Sequence, residues 1–141
     1  MDNYYNTANR MYKSSQTLHN NKEFHNSCYL GGYIIECYAK IIIGVSYGFK
    51  IAELKDFGHD LKKMNKEFQY IFSHSSVSSY MLDMPMNFST CLSGNKRWDP
   101  YKRYSDTINE WNEMNSNNYQ NEIALAMQKM AQMILDGHNL I

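Results

Sequence analysis

The residues best suited to proton transfer in this chain are Glu36, Lys40 and His59. Glu36 and Lys40 stand four residues apart inside a long apolar run, where charged groups are strongly disfavoured unless they are paired or hydrogen-bonded. This spacing places both on one helix face, so they are expected to satisfy each other or a shared partner, or to line a polar pocket. Histidine ordinarily titrates near neutral pH, so His59 could act as a general acid or base. The structural alternative is a capping histidine that hydrogen-bonds to Glu36 or to a nearby carbonyl.

A second candidate is the segment KRWDPYKRY over residues 96–104, which alternates cationic and aromatic side chains. Cations can contact phosphates while aromatic rings stack on unpaired bases, so the segment could bind nucleic acid. Alternatively, the rings fasten a loop onto the protein, with Arg103 anchored to an acidic partner such as Glu36. The predicted ligand-binding residues are Lys40, Arg97, Trp98, Tyr101, Lys102, Arg103 and Tyr104.

Other chemistries lack their sequence patterns. The five histidines are dispersed, and no Glu-x-x-His pair or Cys/His cluster repeats as a metal site in a helical bundle would need. The chain has no P-loop, no glycine-rich dinucleotide fingerprint and no nucleophile elbow. We therefore predict neither a metal site nor a cofactor.

The elements that must position these residues are helices. Apolar residues recurring at three- and four-residue steps predict four long helices, over about 4–19, 22–43, 59–72 and 116–135. Shorter helical pieces are expected at 51–54 and, within an irregular region over 73–95, at 80–84 and 88–92. No strand alternation competes. The sequence predicts one all-α domain over 1–141, an antiparallel up-and-down bundle of four or five helices.

Several local signals refine this prediction. Gly31 and Gly32 lie inside the second helix, where they would let a neighbouring helix or a ligand approach the backbone closely. His59 or Asp60 is expected to cap the third long helix, and Gly137 to follow the end of the last one.

The amino-acid composition limits which ligands and which cellular compartment are expected for this chain. The 141 residues carry 14 basic and 14 acidic side chains, so any nucleic-acid binding must come from a local patch. Three cysteines without a C-x-x-C pair are expected to be reduced thiols of a cytoplasmic protein. We expect neither a signal peptide nor a membrane-spanning helix.

Two parts of the sequence together resemble the HEPN superfamily of small helical bundles. The first is Gly32, Tyr33, Glu36, Cys37 and Lys40 in the long second helix, and the second is Gly-His-Asp-Leu over 58–61. The first helix and the Arg103-Tyr104 pair also match the family's pattern. The resemblance implies a four- or five-helix bundle and a homodimer. It also implies a role in RNA cleavage, nucleotide binding, toxin–antitoxin systems or antiviral defence.

The chain departs from the family's ribonucleases at their catalytic motif. Those members carry an Arg followed, after four to six residues, by a His late in the domain, because the two must act together beside the scissile phosphate. Arg97 and Arg103 have no histidine at that spacing, and His138 has no arginine shortly before it. Cleavage by the family's usual route is therefore not expected.

Three functional hypotheses follow from these observations. The first is a non-catalytic, homodimeric RNA-binding, nucleotide-binding or regulatory module. The second is a ribonuclease with an unconventional site assembled from His59, Arg103 and Glu36. The third is a scaffold for a protein partner. An open cleft that holds His59 near Arg103 would favour the enzyme, whereas a buried contact between Glu36 and Arg103 would favour the scaffold.

Overall fold

The computed structural model describes residues 3–71, 76–104 and 110–140, and its regular structure there is entirely helical. The prediction of an all-α protein is confirmed for these residues. The α-helices are α1 (Tyr4–Asn20), α2 (Phe24–Tyr47), α3 (Ile51–Leu54), α4 (Leu61–Ile71), α5 (Met84–Asn87), α6 (Ser89–Leu92) and α7 (Glu113–Leu135). Short 3-10 helices cover Lys55–Phe57, Ser78–Tyr80 and Pro100–Tyr104.

Helix α2 is the centre of the core, because its apolar residues surround the helix instead of forming one stripe. It packs against α1, α4 and α7, and α1 also packs against α7. By length and composition α2 could cross a membrane, but 78% of its most apolar window is buried inside the protein. A helix that is hydrophobic on all sides is the expected centre of such a core.

The turn between α1 and α2 is longer than the sequence predicts. The predicted start of the second helix is near Lys22, but Lys22 has a φ of 63°, in the left-handed region, and α2 begins at Phe24. A residue in this conformation cannot belong to a right-handed helix, so the start moves toward the C-terminus. At its other end α2 passes Gly44 and ends before Gly48, whose φ of 70° suits glycine.

Helix α4 begins immediately after the residue that caps it. The Asp60 carboxylate accepts a hydrogen bond from the backbone N–H of Lys63 at 3.0 Å, which satisfies one of the free donors of the first turn. Asp60 is therefore the N-cap, and its neighbour His59 is left to bond elsewhere. The buried face of α4 carries Leu61, Met64, Phe68 and Ile71, as predicted. Phe72, the last residue of that predicted stripe, lies outside the described residues.

The irregular region between α4 and α7 is stabilised by α7. Its first predicted residues, 73–75, lie outside the described residues. The helical piece expected at 80–84 is wrong, because Met81 is extended and α5 starts only after Asp83, whose carboxylate accepts from the Met86 N–H at 3.1 Å. One oxygen of Glu122, on α7, accepts from the N–H groups of Thr90 and Cys91 at 2.8 and 3.2 Å.

Helix α7 starts earlier than the predicted Ser116. Asn112 and Asn115 exchange hydrogen bonds of 3.0 Å between each side chain and the other's backbone N–H, and this capping box starts the helix at Glu113. The helix ends before Gly137, whose φ of 92° matches the predicted C-terminal glycine.

The three cysteines are free, as predicted from their spacing, and the structure shows that all three are buried. Burial raises the pKa of the Cys28 thiol to about 12 and that of the Cys37 thiol to about 12. Burial also raises the pKa of Cys91 well above its ordinary value. Thiols held protonated in this way are poor nucleophiles and poor metal ligands.

Candidate functional site

The buried carboxylate of Glu36 joins two bases, one to each oxygen. Its Oε1 accepts a hydrogen bond from Lys40 Nζ at 2.8 Å, one helical turn along α2. Its Oε2 lies 2.8 Å from Nδ1 of His59, which comes from the loop before α4. Because an ionised carboxylate can only accept, the imidazole donates from Nδ1 in this contact. Glu36 therefore fixes the orientation and the tautomer of the histidine.

Lys40 and His59 differ in their access to solvent. Lys40 is 4% exposed, and its ammonium lies 5.4 Å from the centre of the Tyr4 ring, which covers it. A lysine in this position neutralises Glu36 and does not reach a ligand in solution. The His59 side chain is 54% exposed, and no hydrogen bond with a described residue occupies its Nε2. Of the two bases, only the histidine can act on a ligand.

An aromatic cluster supports the imidazole from the side of α2. The Tyr33 ring meets the ring of His59 edge-on at 5.6 Å and that of Trp98 at 4.8 Å. Its hydroxyl lies 3.0 Å from that of Tyr29, one turn earlier. Burial raises the pKa of Tyr33, and the positive charge of Arg103 acts in the opposite sense. Tyr33 is therefore protonated at neutral pH, and Arg103 lies within electrostatic range of it.

Trp98 anchors the segment over residues 96–104 to α2, because its indole ring occupies the space beside Gly32, which has no side chain. A Cβ atom on Gly32 would lie 2.0 Å from two carbons of the indole ring, so no larger residue fits there without moving Trp98. The indole N–H donates to the carbonyl of Tyr29 at 2.9 Å, and the backbone N–H of Trp98 donates to that of Cys91 at 2.7 Å. The indole is only 5% exposed. Trp98 therefore anchors the segment and is not available to stack on a base.

Lys102 is also used inside the protein. Its ammonium donates to the carbonyls of Asn95 at 3.1 Å and Arg97 at 2.8 Å, and it pairs with the Glu110 carboxylate at 3.2 Å. It also lies 4.9 Å from the centre of the Trp111 ring. Its three donors are thus committed to closing the loop, and Lys102 contributes little to binding at the surface.

The remaining candidates surround a cleft of about 600 Å³. His59 and Arg103 both line it, as do Arg97, Tyr101 and Tyr104. Arg103 does not pair with Glu36, whose oxygens bind Lys40 and His59. Its guanidinium instead lies 5.8 Å from the centre of the Tyr104 ring. The cleft therefore unites two candidate regions that are far apart in the sequence.

Five further polar or aromatic residues line the cleft and were not among the predicted site residues. They are Tyr29, Tyr33, Asp60, Lys62 and Asp99. Tyr29 and Tyr33 stand four residues apart on α2, and this spacing was a usable signal for a pair on one helix face. Asp99 and Lys62 gave no comparable signal, because their proximity depends on the path of the loop after α6.

The described residues contain no group of three His, Cys, Asp or Glu side chains that could hold a metal ion. Comparison of the chain with protein-family models, with curated proteins and with solved structures found no match. The chemistry of the cleft is therefore the basis for assigning a function.

Proposed function

We propose that this protein is an HEPN-like bundle that binds RNA or a nucleotide in the cleft beside His59, through phosphate contacts. One observation carries the proposal. The cationic side chains lining the cleft, Arg97, Arg103 and Lys62, have no described carboxylate within 4.0 Å, whereas both cleft aspartates are engaged by backbone N–H groups. Asp60 accepts from Lys63 at 3.0 Å and Asp99 from Tyr101 at 2.9 Å.

The three cationic side chains outnumber the two aspartates, so the cleft favours an anion although the whole chain has no net charge. Local N–H groups hold the aspartate side chains in place, while arginine presents a planar group of donors that matches phosphate oxygens. The resemblance to HEPN proteins supports a phosphate-bearing ligand and a setting in toxin–antitoxin or defence systems. The binding module does not need the Arg and His motif that the chain lacks.

The proposal is tested by titrating a fluorescently labelled single-stranded RNA of twelve nucleotides and following its anisotropy at several salt concentrations. We expect affinity to fall with salt. Replacing Arg97 and Arg103 by Ala should lower the slope of log K against log salt by about 0.7 for each phosphate that the variant no longer neutralises. Lys66→Ala removes an exposed charge on α4 outside the cleft and should leave the slope unchanged. Failure of the wild-type protein to bind both the RNA and free nucleotides would refute the proposal.

A second candidate function, cleavage of RNA, is favoured by the contact between Glu36 and His59. A carboxylate that holds Nδ1 leaves Nε2 as the atom that can take a proton from a 2′-hydroxyl, the arrangement used by many general bases. Arg103 lines the same cleft, where its charge would stabilise the pentavalent phosphorus formed when that oxygen attacks. An open cleft that holds both residues is what an unconventional ribonuclease site would require.

Incubation with mixed structured and single-stranded RNAs separates binding from cleavage. Turnover by the wild type that both His59→Ala and Arg103→Ala abolish would establish the enzyme. Binding without turnover, weakened by Arg103→Ala but not by His59→Ala, would identify a binding module. Lys66→Ala serves as the matched control in both assays.

A further inference from the structure

The most exposed aromatic rings of the cleft lie together on one 3-10 helix, Pro100–Tyr104. Such a helix has 3.0 residues per turn, so Tyr101 and Tyr104, three residues apart, project on the same side. The rise of about 2.0 Å per residue separates them by about 6 Å along the axis. Tyr101 is 79% and Tyr104 is 77% exposed. Their position at the edge of the cleft leaves both rings accessible to a ligand.

Neither ring packs against another aromatic ring of the described residues. The ring-to-ring contacts there involve other aromatic side chains, among them Tyr33, Trp98 and Trp111. The backbone N–H of Tyr101 donates to the Asp99 carboxylate at 2.9 Å. Tyr104 meets the Arg103 guanidinium. Exposure of large aromatic rings to water is unfavourable. Rings that lie beside cationic side chains are suited to bind a ligand that has an aromatic face and a negative charge.

We infer that Tyr101 and Tyr104 clamp one unpaired base of single-stranded RNA, an inference that rests on the phosphate-binding function proposed above. Neighbouring stacked rings lie about 3.4 Å apart, so a base between two tyrosines needs about 7 Å, close to the separation along this helix. A small rotation of either exposed ring supplies the difference. The phosphates next to the clamped base then lie against Arg97 and Arg103.

The clamp selects for single strands. A base in a duplex is stacked and paired, so its faces are not available to protein rings, whereas bases in loops and single strands can be splayed out. Stacking accepts any base because each has a π-face, so the clamp confers little sequence preference. The specificity of this site is thus for an unpaired nucleotide, with the arginines reading the backbone.

Three RNA probes of equal length test the clamp by fluorescence anisotropy: a single strand, a duplex and a strand with abasic positions. The wild type is expected to bind the single strand roughly 5- to 150-fold more tightly than the other two. Tyr101→Leu and Tyr104→Leu should each reduce this preference strongly, while Tyr101→Phe and Tyr104→Phe keep it because the ring is retained. Tyr70→Leu, at a tyrosine on α4 that is 73% exposed, is the matched control and should change nothing.

Circular dichroism melting of each variant shows whether a loss of preference for the single strand comes from misfolding. Substitutions at such exposed rings should leave the melting temperature unchanged. Equal affinity for normal and abasic strands, unaltered by the leucine variants, would overturn the clamp and leave the phosphate-binding function intact. Absence of binding to all three probes would overturn both. Loss of preference in the phenylalanine variants would also overturn the clamp, because stacking does not need the hydroxyl.

Discussion

At the scale of single residues, Glu36 holds the site together because each of its oxygens satisfies a different base. Glu36→Ala removes the partner of Lys40, which remains 4% exposed with an uncompensated charge. Breaking a buried ion pair in this way typically costs about 3 to 5 kcal/mol. We therefore expect the urea midpoint of unfolding to fall accordingly. An unchanged midpoint would contradict the assignment of Glu36 as a structural tether.

The matched control replaces both members of the pair by Leu. Two apolar side chains of similar volume leave no buried charge, and such replacements are often neutral or stabilising. Glu36→Leu combined with Lys40→Leu should therefore recover most of the stability lost in Glu36→Ala. It should not restore the orientation of His59, so RNA cleavage, if the protein has that activity, would remain low.

Glu122 gives a second residue-scale prediction, one that concerns the link between α7 and α6. Its Oε1 accepts the N–H groups of Thr90 and Cys91, and the residue is 8% exposed. Glu122→Ala leaves those donors unpaired and should destabilise the protein by about 1 to 3 kcal/mol in urea unfolding. Glu122→Gln keeps a carbonyl oxygen as acceptor and should cost much less.

The difference in unfolding free energy between Glu122→Gln and the wild type should depend on pH. Desolvation raises the pKa of Glu122 in the folded protein, and the N–H groups that it accepts only partly oppose this effect. The folded state therefore holds the proton more tightly than the unfolded state, so wild-type stability falls as pH rises through the window from the ordinary glutamate pKa to the raised one. Relative to the wild type, the glutamine variant should gain stability across that window. A difference that is constant with pH would contradict the prediction.

The sequence was informative about some residues of the site and silent about others. Polar residues in an apolar helix must find partners, so the pairing of Glu36 with Lys40 and the contact of His59 with Glu36 were both foreseeable. The anchoring of Trp98 and the internal use of Lys102 were open alternatives, because basic and aromatic residues at a loop look alike whether they bind the protein or a ligand. Only the path of the chain over residues 95–104 decides between them.

At the scale of elements, the loop that carries the arginines is positioned by the packing of one indole on α2. Gly32→Ala would place a methyl group 2.0 Å from the Trp98 ring, whereas a Cβ on Gly31 meets Tyr119 at an ordinary 3.5 Å. Overpacking of this kind costs about 1 to 3 kcal/mol, and the gain of about 1 kcal/mol from alanine in a helix offsets only part of this cost. Gly32→Ala should therefore lower the unfolding midpoint and increase tryptophan exposure to fluorescence quenchers, while Gly31→Ala should not.

The energetic cost of the steric clash between a Cβ at position 32 and the Trp98 indole can be measured separately by combining substitutions. In a Trp98→Ala background the space is empty, so Gly32→Ala should no longer destabilise, and a double-mutant cycle should show strong coupling between the two positions. If Gly32→Ala costs the same with and without the indole, the effect comes from the helix and not from Trp98. RNA affinity should follow the position of the loop and fall in Gly32→Ala but not in Gly31→Ala.

The sequence predicts which long helices form better than it predicts the residues at which they begin and end. The long helices follow from apolar periodicity, but α2 starts late because Lys22 adopts a left-handed φ, and α7 starts early because Asn112 and Asn115 cap each other. The short helix α5 starts at a local cap, Asp83, whereas α6 is bound by Glu122 from a helix about thirty residues later in the chain. Periodicity reports burial along one helix and does not report such distant partners.

At the scale of the whole molecule, a zero net charge conceals an uneven distribution of charged side chains. Three cationic side chains, Arg97, Arg103 and Lys62, line the cleft with two carboxylates, Asp60 and Asp99, which is a formal excess of one positive charge. The charge that a ligand meets is therefore set by which side chains the fold brings to the cleft. This is why the sequence could predict a helical protein but not the boundaries of its candidate binding surface.

The homodimer expected from the HEPN resemblance remains a prediction, and the structure narrows where its interface can lie. The apolar residues of α2 are largely covered within one chain, so they offer little apolar surface to a second copy. The end of α7 exposes Ile134 at 41% and Leu135 at 80%, adjacent apolar residues that a second copy would cover. We therefore expect sedimentation equilibrium to give twice the 16.6 kDa chain mass, and Leu135→Glu to shift the equilibrium toward the monomer. Tyr70→Glu, at an exposed site on α4, is the matched control, and a wild-type mass of one chain at high micromolar concentration would rule the dimer out.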